Sequence, residues 1–376
     1  MQYSFRDYHL LQLLDFYDSR DRLPLDLAAQ KYFRINKACG SKDRRYILES
    51  AYQLVRWRML VDAHLSGSKT WEKRYNLISN KTVESLQEDS LLKDCERYSF
   101  PEDIFDLLVS AYGLEESIKI ASISNSRAPL TVRVNTIKRT YEDVLERLKS
   151  SYDVECCKSA PLAINWNERV NFNELELFKE GAFEVQDEGS QLLASLVEIL
   201  PGQHFLDYCS GSGGKTLAIA PQMLGRGQIY LHDIRTSVLA DAKKRLKKAG
   251  VQNFQTVEPG DKKLKKMKFK MDWVLVDAPC SGTGTLRRNP DMKWRLNIDR
   301  INDLVELQGE VFDNALKFVK KGGHIVYATC SILKEENQLQ RDYFLTKYNL
   351  KQVNEMAIMP SPGGMDAFYG VVFEVV

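Results

Sequence analysis

The sequence has no run of about eighteen or more apolar residues, and its opening stretch, MQYSFRDYHLLQLLDFYDSRD, carries acids where a signal peptide would place a basic and then an apolar segment. Neither a membrane span nor a secretory leader is expected, and the chain reads as a soluble, cytoplasmic protein. Its seven cysteines are odd in number and include no C-x-x-C pair, so a disulfide framework, a zinc site and a dithiol redox motif are not expected. Fixed-period repeats and low-complexity tracts are also lacking. Charge of one sign is scarce in net terms: 53 basic against 51 acidic residues leave +2, too little to imply a nucleic-acid partner by itself.

What is present is globular. With 376 residues, 44% of them hydrophobic and 28% charged, the chain exceeds what a single core usually organises. Residues 1–125 read as helices, broken at Pro24, Gly40-Ser41 and Pro101. In KDRRYILESAYQLVRWRMLVDAHL, Ile47, Ala51, Leu54, Val55 and Val61 fall at three- and four-residue spacings, predicting one amphipathic helix capped by Ser41 or Asp43, with Arg56 and Arg58 on a solvated face. Residues 126–185 change texture. PLTVRVNTI alternates as a strand, YEDVLERLKSS follows as a helix, and together they suggest a small α+β module.

Residues 186–376 alternate strand and helix as a doubly wound α/β sheet does. Seven strands are predicted at HFLDYC, GQIYLHD, NFQTVE, MDWVLVDAP, GGHIVYATC, a short one near LKQV, and FYGVVFEVV. The segments SVLADAKKRLKKAG and INDLVELQGEVFDNALKFVKKGG read as helices that stop at glycine.

After the first of these strands, FLDYCSGSGGKTLAIA places a glycine-rich turn before a helix. Gly211, Gly213 and Gly214 permit a sharp turn and close approach to a ligand, and the helix start offers free N–H groups. The ending Gly-Lys-Thr resembles a phosphate-binding P-loop, but that motif needs glycine at 209, where this chain has Cys209. An ATPase is therefore disfavoured, and magnesium-dependent ATP hydrolysis would revive it. For a dinucleotide or adenosyl cofactor, an acid about 20 residues downstream should meet the ribose. Asp233 fits, and Asp261 and Asp277 continue acids onto successive strand ends. A strand-end acid can equally cap the following helix.

Cys209, Cys280 and Cys330 all lie where predicted strands end, the place at which open α/β sheets bind ligands. Cys280 in DAPCSGTG and Cys330 in YATCS each close a hydrophobic strand. Position 5 of cytosine is a poor nucleophile; a thiolate that adds to carbon 6 turns the ring into an enamine able to accept a methyl group. Either tripeptide alone is compatible with a buried small residue. Both at neighbouring strand ends point to thiol chemistry.

Over nearly its whole length the chain resembles the RsmB/Sun group of RNA cytosine-5 methyltransferases, also called the Fmu group. The likeness runs through SKDRRYILESAYQLVRWR, PLTVRVNTIK, FKEGAFEVQDEGSQLLA, LDYCSGSGGKT, VLVDAPCSGTGTLRRNPDMKWR and YATCSILKEENQ. It implies a Rossmann-like methyltransferase core with a mostly parallel seven-stranded sheet, an N-terminal helical domain like the transcription factor NusB, and the α+β module between them. The cofactor it implies is S-adenosyl-L-methionine, held by Cys209, Ser210, Gly211, Ser212, Gly213, Gly214 and Lys215 with Asp233, Asp261 and Asp277.

The resemblance makes Cys330 the nucleophile and Cys280 the residue that assists product release. Asp277 would hydrogen-bond the base, protonating or polarising ring nitrogen 3, and Lys215 would help to hold that region. The implied substrate is structured RNA, foremost 16S ribosomal RNA, with transfer RNA the alternative. A monomer without metal is expected. DNA cytosine methyltransferases use the Pro-Cys cysteine, here Cys280, as nucleophile; Thr329-Cys330-Ser331 argues against that arrangement.

The group usually has Ala-Ala-Pro-Gly-Gly-Lys where this chain has Ser210 to Lys215. Exchanging proline for a freer loop costs about 1 kcal/mol in ordering and should weaken cofactor binding. A catalytically silent RNA-binding assembly factor is the reading from a different class. Arg287, Arg288, Lys293 and Trp294 are placed by the sequence in a loop at the mouth of the site, where cations could meet phosphates and Trp294 could stack on a base or belong to the core. Further basic clusters lie at Lys243 to Lys248 and Lys262 to Lys270.

Overall fold

The computed structural model describes residues 3–20, 23–168 and 170–376. It divides into two compact units: Met1–Arg127 with Thr285–Arg300, and Ala128–Gly284 with Ile301–Val376.

The first unit is helical, with its longer helices at Phe5–Asp18, Leu25–Ile35, Ser41–Arg56, Trp71–Asn80, Glu102–Tyr112 and Leu114–Ser124. Apolar faces of the first three close a core around Leu10, Leu13, Leu14, Ala28, Ile47, Ala51, Leu54 and Val55. Pro24 and Pro101 stand directly before helix starts, where a missing N–H costs nothing. The amphipathic stretch is two helices, because the chain breaks at Trp57 and resumes at Arg58–Ala63. Gly40 occupies the cap position, and Asp43 accepts its N–H at 3.1 Å.

Residues 285–300 belong to this helical unit: Arg287 and Lys293 are buried rather than offered at the mouth of a site, Arg288 is half-buried, and Trp294 takes the core alternative. Lys293 is 1% exposed and donates to Asn125 Oδ1 at 2.8 Å. The Trp294 indole N–H donates to the Val55 carbonyl at 2.6 Å, and Asp291 accepts the Leu25 N–H at 3.1 Å. Arg56, expected on a solvated face, is buried and donates to the Arg287 carbonyl at 2.8 Å. These polar side chains are buried because each finds a backbone or side-chain partner there.

The second unit holds two sheets. Strands β1 (Leu130–Val134), β2 (Val154–Cys156), β3 (Ala163–Trp166) and β4 (Phe183–Val185) form an antiparallel sheet in the order β2-β3-β1-β4. Val144 and Leu148 of the helix Tyr141–Lys149 pack with Val132, Val134, Ile164 and Phe183. Strands β5 (His204–Asp207), β6 (Gln228–His232), β7 (Phe254–Val257), β8 (Met271–Asp277), β9 (Val319–Thr329), β10 (Leu350–Ile358) and β11 (Phe368–Val375) form the larger sheet in the order β10-β11-β9-β8-β5-β6-β7.

The larger sheet is mostly parallel; only β11 pairs antiparallel, with β9 and β10. Alternate residues feed two cores, Phe205, Ile229, Leu275 and Val326 on one face and Leu206, Val274, Ile325 and Tyr327 on the other, as a sheet covered on both sides requires. This is a Rossmann-like core. From β5 the chain runs outward through β6 and β7 and then returns to β8 on the other flank of β5. That reversal opens a crevice beyond the carboxyl ends of β5 and β8.

Two elements differ from their sequence reading. The helix before His324 ends at Leu316, and VKKGG is the start of β9. There Met271 and Lys270 donate their N–H groups to the Phe318 carbonyl, and Phe318 and Val319 are buried, so strand pairing and burial override helical spacing. The strand near LKQV extends to nine residues, because β11 pairs with it from Leu350 to Ile358.

Candidate active site

The turn after β5 sits at the crevice. Gly211 and Gly213 have φ of +51° and +79°, values that disfavour side chains. Backbone bonds tie the turn to the next strand: Ser210 donates to the His232 carbonyl at 2.9 Å, and Gly211 to Asp233 Oδ2 at 2.9 Å. Asp233 also accepts from the Arg235 backbone and guanidinium. Burial pushes its carboxyl up, yet these bonds outweigh burial and hold it below the usual carboxylate range.

Asp207, at the end of β5, is fully buried and pushed up to about 7, chiefly by burial, although Thr216 donates to its Oδ2 at 2.6 Å. Its Oδ1 and the Ser210 hydroxyl are buried without a partner among the described residues, and a Cβ built on Gly214 would meet nothing within 4 Å. A turn with spare polar atoms and open space over its helix start fits the adenosyl and amino-acid ends of S-adenosylmethionine.

Ser212 takes the place of the usual proline, and its carbonyl and hydroxyl accept from Arg245 at 2.9 and 2.7 Å. Arg245 is held in turn by Glu184 of β4 at 2.9 Å. The smaller sheet thus braces the glycine turn, offsetting stiffness lost with the proline. Of its cluster, Lys243, Lys244 and Lys247 are exposed, as are the lysines from Lys262 to Lys270. Asp261 accepts the Lys263 N–H at 2.8 Å and so caps the helix Lys262–Met267 beyond the edge strand β7.

Strands β8 and β9 are parallel neighbours, with Asp277 opposite Ala328. The residues that follow each strand therefore emerge side by side, and the Cys280 and Cys330 sulfurs lie 3.4 Å apart. Lys215 donates to Asp277 Oδ2 at 2.5 Å, joining the glycine turn to the end of β8. Burial disfavours the ammonium, but Asp277 outweighs it and raises Lys215 above the usual lysine range.

The contact with Cys280 lowers Cys330 below the ordinary thiol value despite burial and Asp277; Lys215 adds to the lowering. Cys280 is raised well above it by the same contact, with burial contributing further. The opposite directions of the two shifts favour Cys330 as the sulfur that ionises first.

The support beneath these cysteines carries no motif in the sequence. Ser281, Thr283 and Ser331 bond to one another through their hydroxyls at 3.0 to 3.2 Å, over the buried Glu336 carboxylate and Gln308 amide. The only sequence signal was a serine after each cysteine. Among the described residues no group of three or more His, Cys, Asp or Glu side chains could hold a metal ion, and no helix is long and apolar enough to cross a membrane.

A doubly wound sheet with a glycine turn at its switch point and two coupled thiols at adjacent strand ends defines an S-adenosylmethionine-dependent methyltransferase. Residues 194–369 match the family described as 16S rRNA methyltransferase RsmB/F, and residues 100–173 match the ferredoxin-like domain of RsmF/B-like methyltransferases. Ribosomal RNA small subunit methyltransferase B of Pseudomonas syringae pv. tomato is 30% identical over 97% of this chain and 88% of its own length. The protein of the same name from Escherichia coli O6:K15:H31 is 31% identical over 96% and 87%.

A solved structure of a methyltransferase homolog protein from Pyrococcus horikoshii covers 77% of this chain and all of its own, with a TM-score of 0.68 at 23% identity; that likeness concerns the fold. The chain belongs to the RsmB/Sun family, the RsmB/F methyltransferases, and is an S-adenosylmethionine-dependent RNA methyltransferase.

Proposed function

We propose that the protein methylates carbon 5 of a cytosine in 16S ribosomal RNA through a covalent bond between Cys330 and the base. The observation that carries this reading is the 3.4 Å contact between the Cys280 and Cys330 sulfurs, which puts an attacking thiol and an assisting thiol within reach of one base. Cys330 Sγ adds to carbon 6 while Asp277 hydrogen-bonds the base, and the electron pair of the 5,6 double bond moves to carbon 5. Lys215 orients Asp277 for that contact. S-adenosylmethionine, when bound, supplies an electrophilic methyl group to carbon 5.

Loss of the carbon 5 proton to a base then re-forms the ring double bond and expels Cys330 as thiolate. Cys280 assists, because its S–H stabilises the departing sulfur. Cys209 to Lys215, Asp233, Asp261 and Asp277 are the proposed cofactor residues; Arg235, with a side chain 65% exposed, would swing from Asp233 to admit the ribose hydroxyls. Asp261 has the weakest claim, being engaged as a helix cap.

We assign residues 1–125 to a NusB-like helical domain, 126–185 to the α+β module and 186–376 to the catalytic domain, with 285–300 packed into the helical unit. The first two would hold folded RNA while the target base is splayed out, at a cost of a few kcal/mol. The enzyme would act as a cytoplasmic monomer. The ribosomal substrate follows the names of the relatives above.

The test is transfer of labelled methyl from S-adenosylmethionine to unmodified ribosomal and transfer RNA. Wild type should label small-subunit RNA as 5-methylcytosine; Cys330→Ala should transfer nothing yet still bind cofactor; Cys280→Ala should trap a denaturation-resistant protein–RNA adduct. Adduct from Cys330→Ala but not Cys280→Ala would reverse the two roles. Label in transfer RNA alone would move the substrate, and no label from a folded, RNA-binding protein would favour an assembly factor.

A further inference from the structure

Cys280 and Cys330 sit on separate loops, each following a different strand, and a sulfur–sulfur contact of 3.4 Å needs something to hold the loops in register. Backbone pairing supplies part of it: Gly284 donates to the Cys330 carbonyl at 2.9 Å. The remainder converges on one carboxylate. Glu336 is 0% exposed and accepts three bonds, from the Ser281 N–H at 2.8 Å, the Ser281 hydroxyl at 2.5 Å and Gln308 Nε2 at 2.9 Å. Ser281 directly follows Cys280, and Glu336 lies in the short turn Lys334–Glu336 beyond Cys330.

Gln308 is itself fixed. Its Nε2 also donates to the Pro279 carbonyl at 3.0 Å, and its Oε1 lies 3.0 Å from the Tyr327 hydroxyl and 3.1 Å from Gln340 Nε2. The amide therefore cannot turn its oxygen towards Glu336 without breaking these bonds. Among the described residues all donors to Glu336 are neutral, and a buried carboxylate without a paired cation is costly to keep. An acceptor able to take three donors at once explains its presence, because a glutamine there would turn an N–H towards a donor.

We propose that Glu336 is a positioning residue that clamps the Cys280 loop to the Cys330 loop and so sets the thiol–thiol contact on which release of the methylated product depends. This rests on the covalent reading above. The carboxylate also places a negative charge near both sulfurs, which disfavours the thiolate. Loosening the clamp should leave Cys330 able to attack while Cys280 no longer meets it for release.

The experiment uses the full chain with unmodified small-subunit RNA and compares Glu336→Gln and Ser281→Ala with wild type, Cys280→Ala and Cys330→Ala. Steady-state covalent adduct and turnover are measured, together with the pH profile of Cys330 alkylation by iodoacetamide, read by peptide mass spectrometry. Both clamp variants should accumulate adduct towards the Cys280→Ala level and turn over about tenfold more slowly or worse. In Glu336→Gln the alkylation profile should also move to lower pH, which a merely structural loss would not produce.

If Glu336→Gln fails to fold, Ser281→Ala, which deletes one hydroxyl, decides alone. Wild-type turnover without adduct in the clamp variants, while Cys330→Ala is inactive and Cys280→Ala traps adduct, overturns the clamp and leaves the nucleophile assignment standing. An active Cys330→Ala overturns both.

Discussion

Replacing Asp207 by asparagine should stabilise the second unit at pH 8 and destabilise it by about 1–2 kcal/mol near pH 4. Asp207 ends β5 fully buried, and burial lifts its carboxyl from an ordinary 3.8 to about 7. Between those values the folded chain keeps a proton that the unfolded chain has released, so stability falls as pH rises through that window and is flat on either side. At about 1.4 kcal/mol per pH unit the full cost above pH 7 is about 4 kcal/mol. Asparagine removes this charge cost and can still accept the Thr216 hydroxyl, now 2.6 Å from Oδ2.

The asparagine NH2 would inherit the unpaired position of Oδ1, at about 1–2 kcal/mol, leaving a net gain of about 2–3 kcal/mol. For a unit of this size that corresponds to a rise in melting temperature of about 5–10 °C. Calorimetric melting of wild type and Asp207→Asn from pH 4 to pH 8.5 reads it directly. A difference that does not grow with pH, or a variant less stable at pH 8, would refute the argument that this carboxylate is held at a charge cost. Should the gain appear, cofactor binding by the variant would report what Asp207 contributes in return.

Two further outcomes follow from the site. Arg245→Ala removes both bonds to Ser212 and strands the buried Glu184; cofactor affinity measured by calorimetry should fall about three- to tenfold, with a stability loss of about 1–3 kcal/mol. Gly284→Ala puts a methyl 2.5 Å from the Ala367 carbonyl and 2.8 Å from that of Cys330, so the loops must part, and methyl transfer should drop at least about tenfold while cofactor affinity stays near wild type.

The glycine turn, the strand ends carrying Cys280 and Cys330, and the parallel sheet were legible in the sequence because each rests on a local pattern: apolar runs of strand length, glycines at the turn, acids and cysteines at run ends. The helical front could be read from spacing for the same reason. The break at Trp57 could not, since the apolar period continues through it. Nor could the placement of Lys293, whose charge suggested an RNA-facing loop until Asn125 gave it a buried partner; for Trp294 the core alternative is the one the Val55 carbonyl and the helical core fill.

Strand order is the largest thing the tertiary structure decided. Only the pairing of β8 beside both β5 and β9 brings Lys215 to Asp277 and Cys280 to Cys330, and no spacing along the chain encodes those distances. Glu336 and Gln308 were invisible for the same reason: a polar residue is an ordinary surface choice until folding closes a core around it. The sequence carried the chemistry in its residue types; which sulfur ionises, and what holds it there, depends on neighbours that long-range packing alone supplies.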